Sequence, residues 1–214
     1  MPIWHAIGRQ LEHPRGAWGR ITGAAMRLAN GRPNALAIEA LDIEPDHVVL
    51  DLGCGPGATV AAMARRAPLG VVHGLDQSAT MIAQAARANR RALRSGHVCL
   101  ARARFERLPY RDGGIDRILA SNVIYFWRDV GAVVAEMRRV LRPGGRIVIY
   151  ATDAAAMKRW KFAGPDTHRL FDAASLAAAL GSGGFDERDI AVRGVRISGA
   201  INGLIAVVSA GAAR

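Results

Sequence analysis

The sequence predicts an α/β fold in which helices cover both faces of a seven-stranded, mostly parallel sheet. From residue 48 onward, short apolar runs alternate with helical segments, which indicates βαβ units and parallel strand pairing. The first run, residues 48–52, is rich in valine and leucine, as expected for a strand buried on both faces. The last two runs are joined by a connection too short for a crossover, so the last strand should be antiparallel.

The predicted elements follow one another in a regular order. The seven strands are residues 48–52, 71–76, 98–102, 115–120, 146–150, 190–195 and 204–209, with a turn near Asn202 and Gly203 before the last strand. The helices are residues 21–29, 33–41, 58–66, 78–94, 130–141 and 173–180. Pro33 suits a first helical turn, Ser78 suits an N-cap, and the Pro-Gly-Gly run at 143–145 ends a helix. We divide the chain into an N-terminal helical cap (residues 1–44) and a main domain (residues 45–214).

Composition indicates a folded protein with a basic surface. Half of the 214 residues are hydrophobic, and the formal net charge is +11. A basic excess favours anionic partners such as nucleic acid or an anionic membrane surface. The arginines are scattered without a long basic run, so we prefer ordinary surface charge; a nucleic-acid partner is disfavoured, and peripheral contact with an anionic membrane stays open. The arginines at positions 87, 90, 91 and 94 share one predicted helical face, which could contact phosphate or anionic lipid but is more often solvated.

The remaining composition points to a cytoplasmic protein, either a monomer or a homodimer. Cys54 and Cys99 are too few for a disulfide framework, so reduced thiols are expected. The first residues lack the apolar core of a signal peptide, and no apolar stretch approaches the ~20 residues of a membrane span. No cluster has metal-ligand spacing, so no metal is expected.

The strongest motif is the glycine loop, residues 51–57 (Asp-Leu-Gly-Cys-Gly-Pro-Gly), between a buried strand and a helix. Its glycines permit positive φ angles and a close backbone approach to a ligand. Asp76 ends the next strand, where a carboxylate can accept both hydroxyls of a ribose.

Two ligands compete for this loop. Gly53, Gly55 and Ala58 also satisfy the dinucleotide fingerprint, which places a pyrophosphate on the helix. Asp51 would then stand close to a phosphate, and Gly57 would have no role. The antiparallel last strand is also foreign to a plain dinucleotide fold. A cationic sulfonium ligand with a ribose and no phosphate fits better.

The ordered motifs resemble those of class I S-adenosylmethionine-dependent methyltransferases, in particular small bacterial members of the methyltransferase-11 type. The resemblance rests on residues 48–57, 74–78, 108–116 and 140–145. It implies a Rossmann-like fold and S-adenosyl-L-methionine as cofactor. The implied contacts place Gly53, Cys54 and Gly55 on the methionine part, Asp51 near its amino group, Asp76 on the ribose, and Gln77 and Met81 beside the adenine.

The adenine end departs from the family pattern. Arg104 stands where the family often carries an aspartate that contacts the adenine amino group. The Phe105 backbone or the Glu106 side chain is the expected substitute.

The methyl acceptor should lie beside the loop after the fourth strand. Asn122 could contact cofactor or acceptor, while Tyr125, Phe126 and Trp127 could form an apolar wall or simply pack in the core. Trp160, also predicted to contact substrate, and the nearby Lys161 and His168 fall where the family often inserts a substrate lid. We assign no catalytic residue; His168 and Tyr125 are weak candidates for a base, and a lone histidine is more often structural.

Methyl transfer to an oxygen, nitrogen or carbon atom of a small molecule is the leading hypothesis. The alternatives are a phospholipid amine methyltransferase at an anionic surface, an RNA methyltransferase, and a non-catalytic S-adenosylmethionine-binding module.

Overall fold

A computed structural model describes residues 30–160, 168–199 and 201–211. It contains a seven-stranded sheet in the order β3-β2-β1-β4-β5-β7-β6. Strands β1 to β5 pair in parallel, and β7 is antiparallel to both of its neighbours, β5 and β6. The predicted α/β class and the antiparallel last strand are confirmed.

The elements have the following bounds. The strands are β1 (Val48–Leu52), β2 (Val71–Asp76), β3 (Val98–Arg102), β4 (Ile115–Ser121), β5 (Leu141–Thr152), β6 (Ile190–Ser198) and β7 (Ile201–Ser209). The α-helices of the described residues are α1 (Gly31–Leu41), α2 (Ala58–Ala64), α3 (Ala79–Ala88), α4 (Arg90–Arg94), α5 (Val130–Val140), α6 (Ala154–Met157) and α7 (Ala173–Gly181).

Strands β1 and β4 lie side by side at the centre of the sheet. The chain adds β2 and β3 on one side of β1, then returns to add β4 and β5 on the other. Ligands of open α/β sheets bind at such a reversal, outside the carboxyl ends of the strands. The glycine loop follows β1 and Asn122 follows β4, so the fold brings these two predicted segments together.

Two apolar layers flank the sheet, because neighbouring side chains of a strand point to opposite faces. In β1, Val49 packs in the layer under α1, α2 and α3, whereas Leu50 packs in the layer under α5 and α7. Both side chains are fully buried. Helices on both faces are therefore confirmed.

One predicted helix, residues 78–94, is interrupted. Ser78 caps its start as expected, with its hydroxyl accepting the Met81 N–H at 3.4 Å. Asn89 separates α3 from α4, with φ −109° and ψ 21°. Its side-chain amide donates to the carbonyls of Gly57 and Ala85 at 3.0 and 2.9 Å. Asparagine often hydrogen-bonds nearby backbone in this way, and this breaks helices.

Two boundaries near the end of the sheet are also wrong. Strand β5 begins at Leu141, directly after α5, rather than at Arg146. Asn202 and Gly203 lie inside β7, not in the turn before it. A Cβ at position 203 would clash with the Tyr150 ring, so this glycine makes room for a cross-strand aromatic side chain.

Helix α1 packs directly on the sheet. Ala37, Ile38 and Leu41 are buried in the layer that also contains Val148 and Ile205 of β5 and β7. The predicted helix at 21–29 lies outside the described residues, and the cap boundary at residue 44 stays a prediction. Among the described residues, none of the helices combines the length and apolarity needed to cross a membrane.

Candidate cofactor site

Three glycines of the loop adopt left-handed backbone conformations. The φ angles of Gly53, Gly55 and Gly57 are +82°, +51° and +81°, which glycine adopts without steric cost. A Cβ at Gly53 would lie 2.6 Å from Val123, and one at Gly57 would lie 2.6 Å from the Asn89 amide. Gly53 and Gly57 are therefore required by packing as well as by conformation.

Gly55 differs, because a Cβ there would meet nothing within 4 Å. Its carbon faces open space at the end of β1, where a ligand can approach the backbone. The loop is thus fixed at its two ends and open at its middle.

The loop forms one wall of a cavity whose other walls come from α1, α2 and β4. Of the predicted cofactor residues, Asp51, Gly53, Cys54 and Gly55 line this cavity. The lining also includes polar residues that were not among the predicted cofactor contacts: Asn30, Asn34, Thr59 and Ser121. Asn34 is a polar residue on the largely apolar helix α1, and its side-chain oxygen accepts the Ser121 hydroxyl at 2.7 Å.

Asp51 is the most strongly perturbed carboxylate of the site. It is 1% exposed and accepts a hydrogen bond from the Thr59 hydroxyl. Burial raises its pKa to about 7, the Thr59 hydrogen bond opposes this shift, and the negative charge of Asp76 adds to it. A buried carboxylate with a raised pKa is stabilised as an anion by a cationic ligand.

Asp76 connects β2 to the glycine loop. Its two carboxylate oxygens accept the N–H groups of Gly55 at 2.9 Å and Ser78 at 2.8 Å. These bonds orient the carboxylate, and a carboxylate oxygen can accept more than one hydrogen bond.

Two acidic side chains, Asp51 and Asp76, therefore border the same loop. Cys54 lies between them in a buried position, and burial, together with the charges of Asp51 and Asp76, raises the pKa of its thiol. The thiol stays protonated, and the local potential suits a cation and disfavours a pyrophosphate.

Gln77 and Met81 follow Asp76 at the start of α3. The Gln77 carbonyl accepts the Arg102 guanidinium at 3.0 Å, which ties this segment to the end of β3. Met81 is only 2% exposed, so its side chain packs beneath this segment.

The segment after β3 holds the unusual Arg104. Its side chain is 82% exposed, and its Nε lies 3.8 Å from the Oε2 atom of Glu106. At this distance the two side chains form an ion pair, but they are too far apart for a hydrogen bond. The Oε2 atom is buried and accepts no hydrogen bond from the described residues. Beside it, the Phe105 ring is buried against Trp127, with centroids 6.4 Å apart.

Asn122 is the centre of a hydrogen-bond network after β4. It has a φ of +55°, a conformation that asparagine tolerates. Its side chain donates to the Asn30 oxygen at 3.0 Å and accepts the Tyr125 hydroxyl at 2.9 Å. The same hydroxyl accepts the Thr152 N–H. The network joins α1, β4 and β5 around the crevice.

The predicted acceptor residues occupy different environments. Tyr125 and Trp127 are buried, at 6% and 3% exposure, within the layer under α5. Trp160 is partly buried at the edge of the same layer, while Lys161 lies outside the described residues.

His168, a candidate base, is 5% exposed and packs on the Phe126 ring, with ring centroids 4.9 Å apart. Burial lowers the pKa of His168, so its imidazole is neutral at pH 7.

One group of potential metal ligands lies away from the crevice. The side chains of Glu44, Asp46 and His47 have ligand atoms within 4.8 Å of one another. The His47 Nδ1 already accepts the Glu44 N–H at 2.9 Å, and its Nε2 lies 3.3 Å from the Glu44 carboxylate. Both ring nitrogens are therefore engaged within the protein, and we assign no metal to this group.

Comparison with known proteins identifies the family. The family model described as a methyltransferase domain matches residues 50–149. The chain is 38% identical to methyltransferase GfsG of Streptomyces halstedii over 52% of this chain and 40% of that protein. It is 32% identical to the trans-aconitate 2-methyltransferase of Methylobacterium radiotolerans over 70% of this chain and 54% of that protein. The chain therefore spans about half the length, or less, of these curated relatives.

Comparison with solved structures finds the same fold in a methyltransferase. The structure of a SAM-dependent methyltransferase from Aquifex aeolicus superposes with a TM-score of 0.67 and 18% identity, covering 95% of this chain and 97% of that one. At this identity, the likeness shows the fold alone. Together with the sequence relatives and the ordered motifs, it leads to one conclusion: residues 50–149 form a methyltransferase domain of the class I S-adenosylmethionine-dependent family, whose cofactor is S-adenosyl-L-methionine.

Proposed function

We propose that this protein transfers the methyl group of S-adenosylmethionine to an oxygen, nitrogen or carbon atom of a small-molecule acceptor. The observation that carries the proposal is the pair of carboxylates, Asp51 and Asp76, on either side of an open glycine backbone. An anionic site of this kind suits a ligand with cationic groups and a ribose.

The methionine and ribose parts would be held by the loop. Asp51 would accept the ammonium group, because a buried carboxylate gains most from a nearby cation. Gly53, Cys54 and Gly55 would contact the methionine part, and the Asp76 oxygens would accept the ribose hydroxyls. Asn30, Asn34 and Ser121 line the same cavity and would bound the methionine part from the side of α1.

The adenine would be held without the family's usual aspartate. We assign the contact with its amino group to the Glu106 Oε2 atom, since this buried acceptor is without a hydrogen-bond donor among the described residues. The Phe105 backbone and Gln77 would border the ring, and Met81 would support it from below.

The acceptor would enter beside Asn122. S-adenosylmethionine supplies an already activated methyl group, so holding the acceptor in line and excluding water accounts for most of the rate. Trp160, at the edge of the apolar layer, is the most accessible of the proposed substrate residues, whereas the burial of Tyr125 and Trp127 favours a supporting role. His168 stays a candidate base because its imidazole is neutral; Tyr125 is a weaker one because burial raises its pKa.

The small-molecule class is supported by the trans-aconitate 2-methyltransferase relative, whose name specifies a small acid. We retain the division into an N-terminal cap (residues 1–44) and a methyltransferase domain (residues 45–214) as part of the proposal. In it, helix α1 closes the methionine side of the crevice.

The test is transfer of labelled methyl groups. The purified chain is incubated with methyl-tritiated S-adenosylmethionine and a fractionated bacterial extract, and label is followed into small-molecule, lipid and RNA fractions. We expect label in the small-molecule fraction with wild-type protein and, at S-adenosylmethionine concentrations below the dissociation constant, several-fold less label with Asp76→Ala. Label confined to lipid or RNA would replace the proposed acceptor class. Cofactor binding without label in any fraction would indicate a non-catalytic binding module.

A further inference from the structure

A second cleft lies at the other end of the helices that follow the glycine loop. It is formed by the C-terminal part of α2, the junction of α3 and α4, and His97 before β3. Its volume is about 450 Å³, within the range of roughly 300–1,000 Å³ typical of small-molecule pockets. Because α2 starts at the cofactor loop and His97 precedes β3, the cleft is separate from the crevice at the carboxyl ends of the strands.

The lining of this cleft is strongly basic. Its side chains include Arg65, Arg87, Arg90 and Arg91, together with His97 and no acidic residue. The sequence between Asp76 and Glu106 contains six arginines and no acidic residue. Three of these six, Arg87, Arg90 and Arg91, line the cleft.

The cleft arginines differ from the group of arginines at the end of α5 and the start of β5. Arg139, Arg142 and Arg146 pair with carboxylates at 2.6 to 3.2 Å. No ion pair is found for any of the four cleft arginines within the described part of the chain, and all four are exposed. Arg87 lies near the end of α3, Arg90 and Arg91 lie at the start of α4, and all three line the cleft on either side of Asn89.

The framework of the cleft is rigid at this interruption. Asn89 is 5% exposed, and its amide is held by the Gly57 and Ala85 carbonyls. His97 is also fixed, with its Nε2 2.9 Å from the Ala64 carbonyl. The exposed guanidinium groups therefore extend from a segment of backbone that the hydrogen bonds of Asn89 and His97 hold in place.

We propose that this cleft binds the phosphate groups of a phosphorylated small molecule. Guanidinium groups bind phosphate oxygens through paired hydrogen bonds, and several unpaired arginines provide the charge for a di- or triphosphate. The concave shape favours a small ligand over a flat membrane or a long polymer. The site is distinct from the cofactor site and does not depend on the proposed methyl transfer.

The test is calorimetric titration of the full chain with sodium pyrophosphate at low salt. We expect saturable binding at one site, weakened more than tenfold in the triple variant Arg87→Ala, Arg90→Ala, Arg91→Ala. The control removes charge at the far edge of the sheet through Arg193→Ala and Arg196→Ala, which are exposed on β6; its affinity for pyrophosphate should change less than twofold. Titration with S-adenosylmethionine in each variant reports the cofactor site independently.

Three results would overturn the proposal. Pyrophosphate could fail to saturate the wild-type chain, or the β6 control could lose as much affinity as the triple variant. A single-stranded RNA oligonucleotide could also bind more tightly than pyrophosphate and depend on the same three arginines, which would assign the cleft to a phosphodiester polymer.

Discussion

The two ends of the cofactor crevice are built in different ways. At the methionine end, backbone conformation and buried carboxylates create the site: Gly53 and Gly57 are fixed by sterics, and Asp76 is held by two N–H groups. At the adenine end, the polar contact that we propose depends on one side chain, Glu106, beside an exposed Arg104. The methionine end is therefore determined by the backbone of the fold, whereas the polar contact at the adenine end can change with a few side-chain substitutions.

The largest expected effect is on the loop itself. Gly57→Ala places a Cβ 2.6 Å from the Asn89 amide and 2.8 Å from the Ala85 backbone, so we expect a loss of roughly 3 kcal/mol in the free energy of unfolding. Urea denaturation measures it. Gly55→Ala is the matched control, because its Cβ meets no atom and only the left-handed conformation costs about 1 kcal/mol. Equal losses in the two variants would show that packing does not fix the loop.

Asp76→Ala should weaken S-adenosylmethionine binding by more than tenfold, or about 1.4 kcal/mol, because the ribose acceptor is lost. Isothermal calorimetry measures the change. Asp112→Ala removes an exposed carboxylate that pairs with Arg139 and should leave the affinity within twofold. Wild-type affinity in Asp76→Ala would place the ribose elsewhere.

The pH dependence of binding examines Asp51. Its pKa is raised to about 7 in the free protein, so the carboxyl becomes neutral as the pH falls below 7 and attracts an ammonium group less. We therefore expect affinity for S-adenosylmethionine to fall up to about tenfold per pH unit below pH 7 and to level off above it. Asp51→Asn should bind weakly with a flatter profile between pH 5.5 and 7.5. A steep profile in that variant would mean that another group titrates.

The smallest effect should appear at the adenine end. S-inosylhomocysteine carries a carbonyl in place of the adenine amino group, so the exocyclic donor proposed to face Glu106 becomes an acceptor. Wild-type protein should prefer S-adenosylhomocysteine, and Glu106→Ala should lose about fivefold of that preference, corresponding to about 1 kcal/mol. Arg104→Ala leaves the Glu106 carboxylate in place, so this variant should retain the wild-type preference for S-adenosylhomocysteine. If Glu106→Ala discriminates as well as wild type, the amino group is bound by another residue.

Features of the fold were predicted correctly where the residue types of a segment leave its backbone few alternative conformations. The glycine loop, the carboxylate at the end of β2 and the antiparallel last strand each have a local pattern with one structural solution. The interruption at Asn89 was not predicted, because it depends on a hydrogen bond to Gly57, 32 residues away. Asn30 and Asn34 were missed for a similar reason: only the packing of α1 on the sheet brings them to the cavity.

The environment of the aromatic residues after β4 also could not be predicted without the tertiary structure. Its residues fit either a substrate wall or a core, and only tertiary packing places Tyr125 and Trp127 in the apolar layer under α5. Their predicted contact with substrate remains a proposal.

The most direct test of the central claim is calorimetric titration of the full chain with S-adenosylmethionine, S-adenosylhomocysteine and NAD in parallel. The glycine loop with Asp51 and Asp76 should bind both sulfur-containing ligands at one site, with no measurable binding of NAD. Binding of NAD, without binding of S-adenosylmethionine or S-adenosylhomocysteine, would contradict the account.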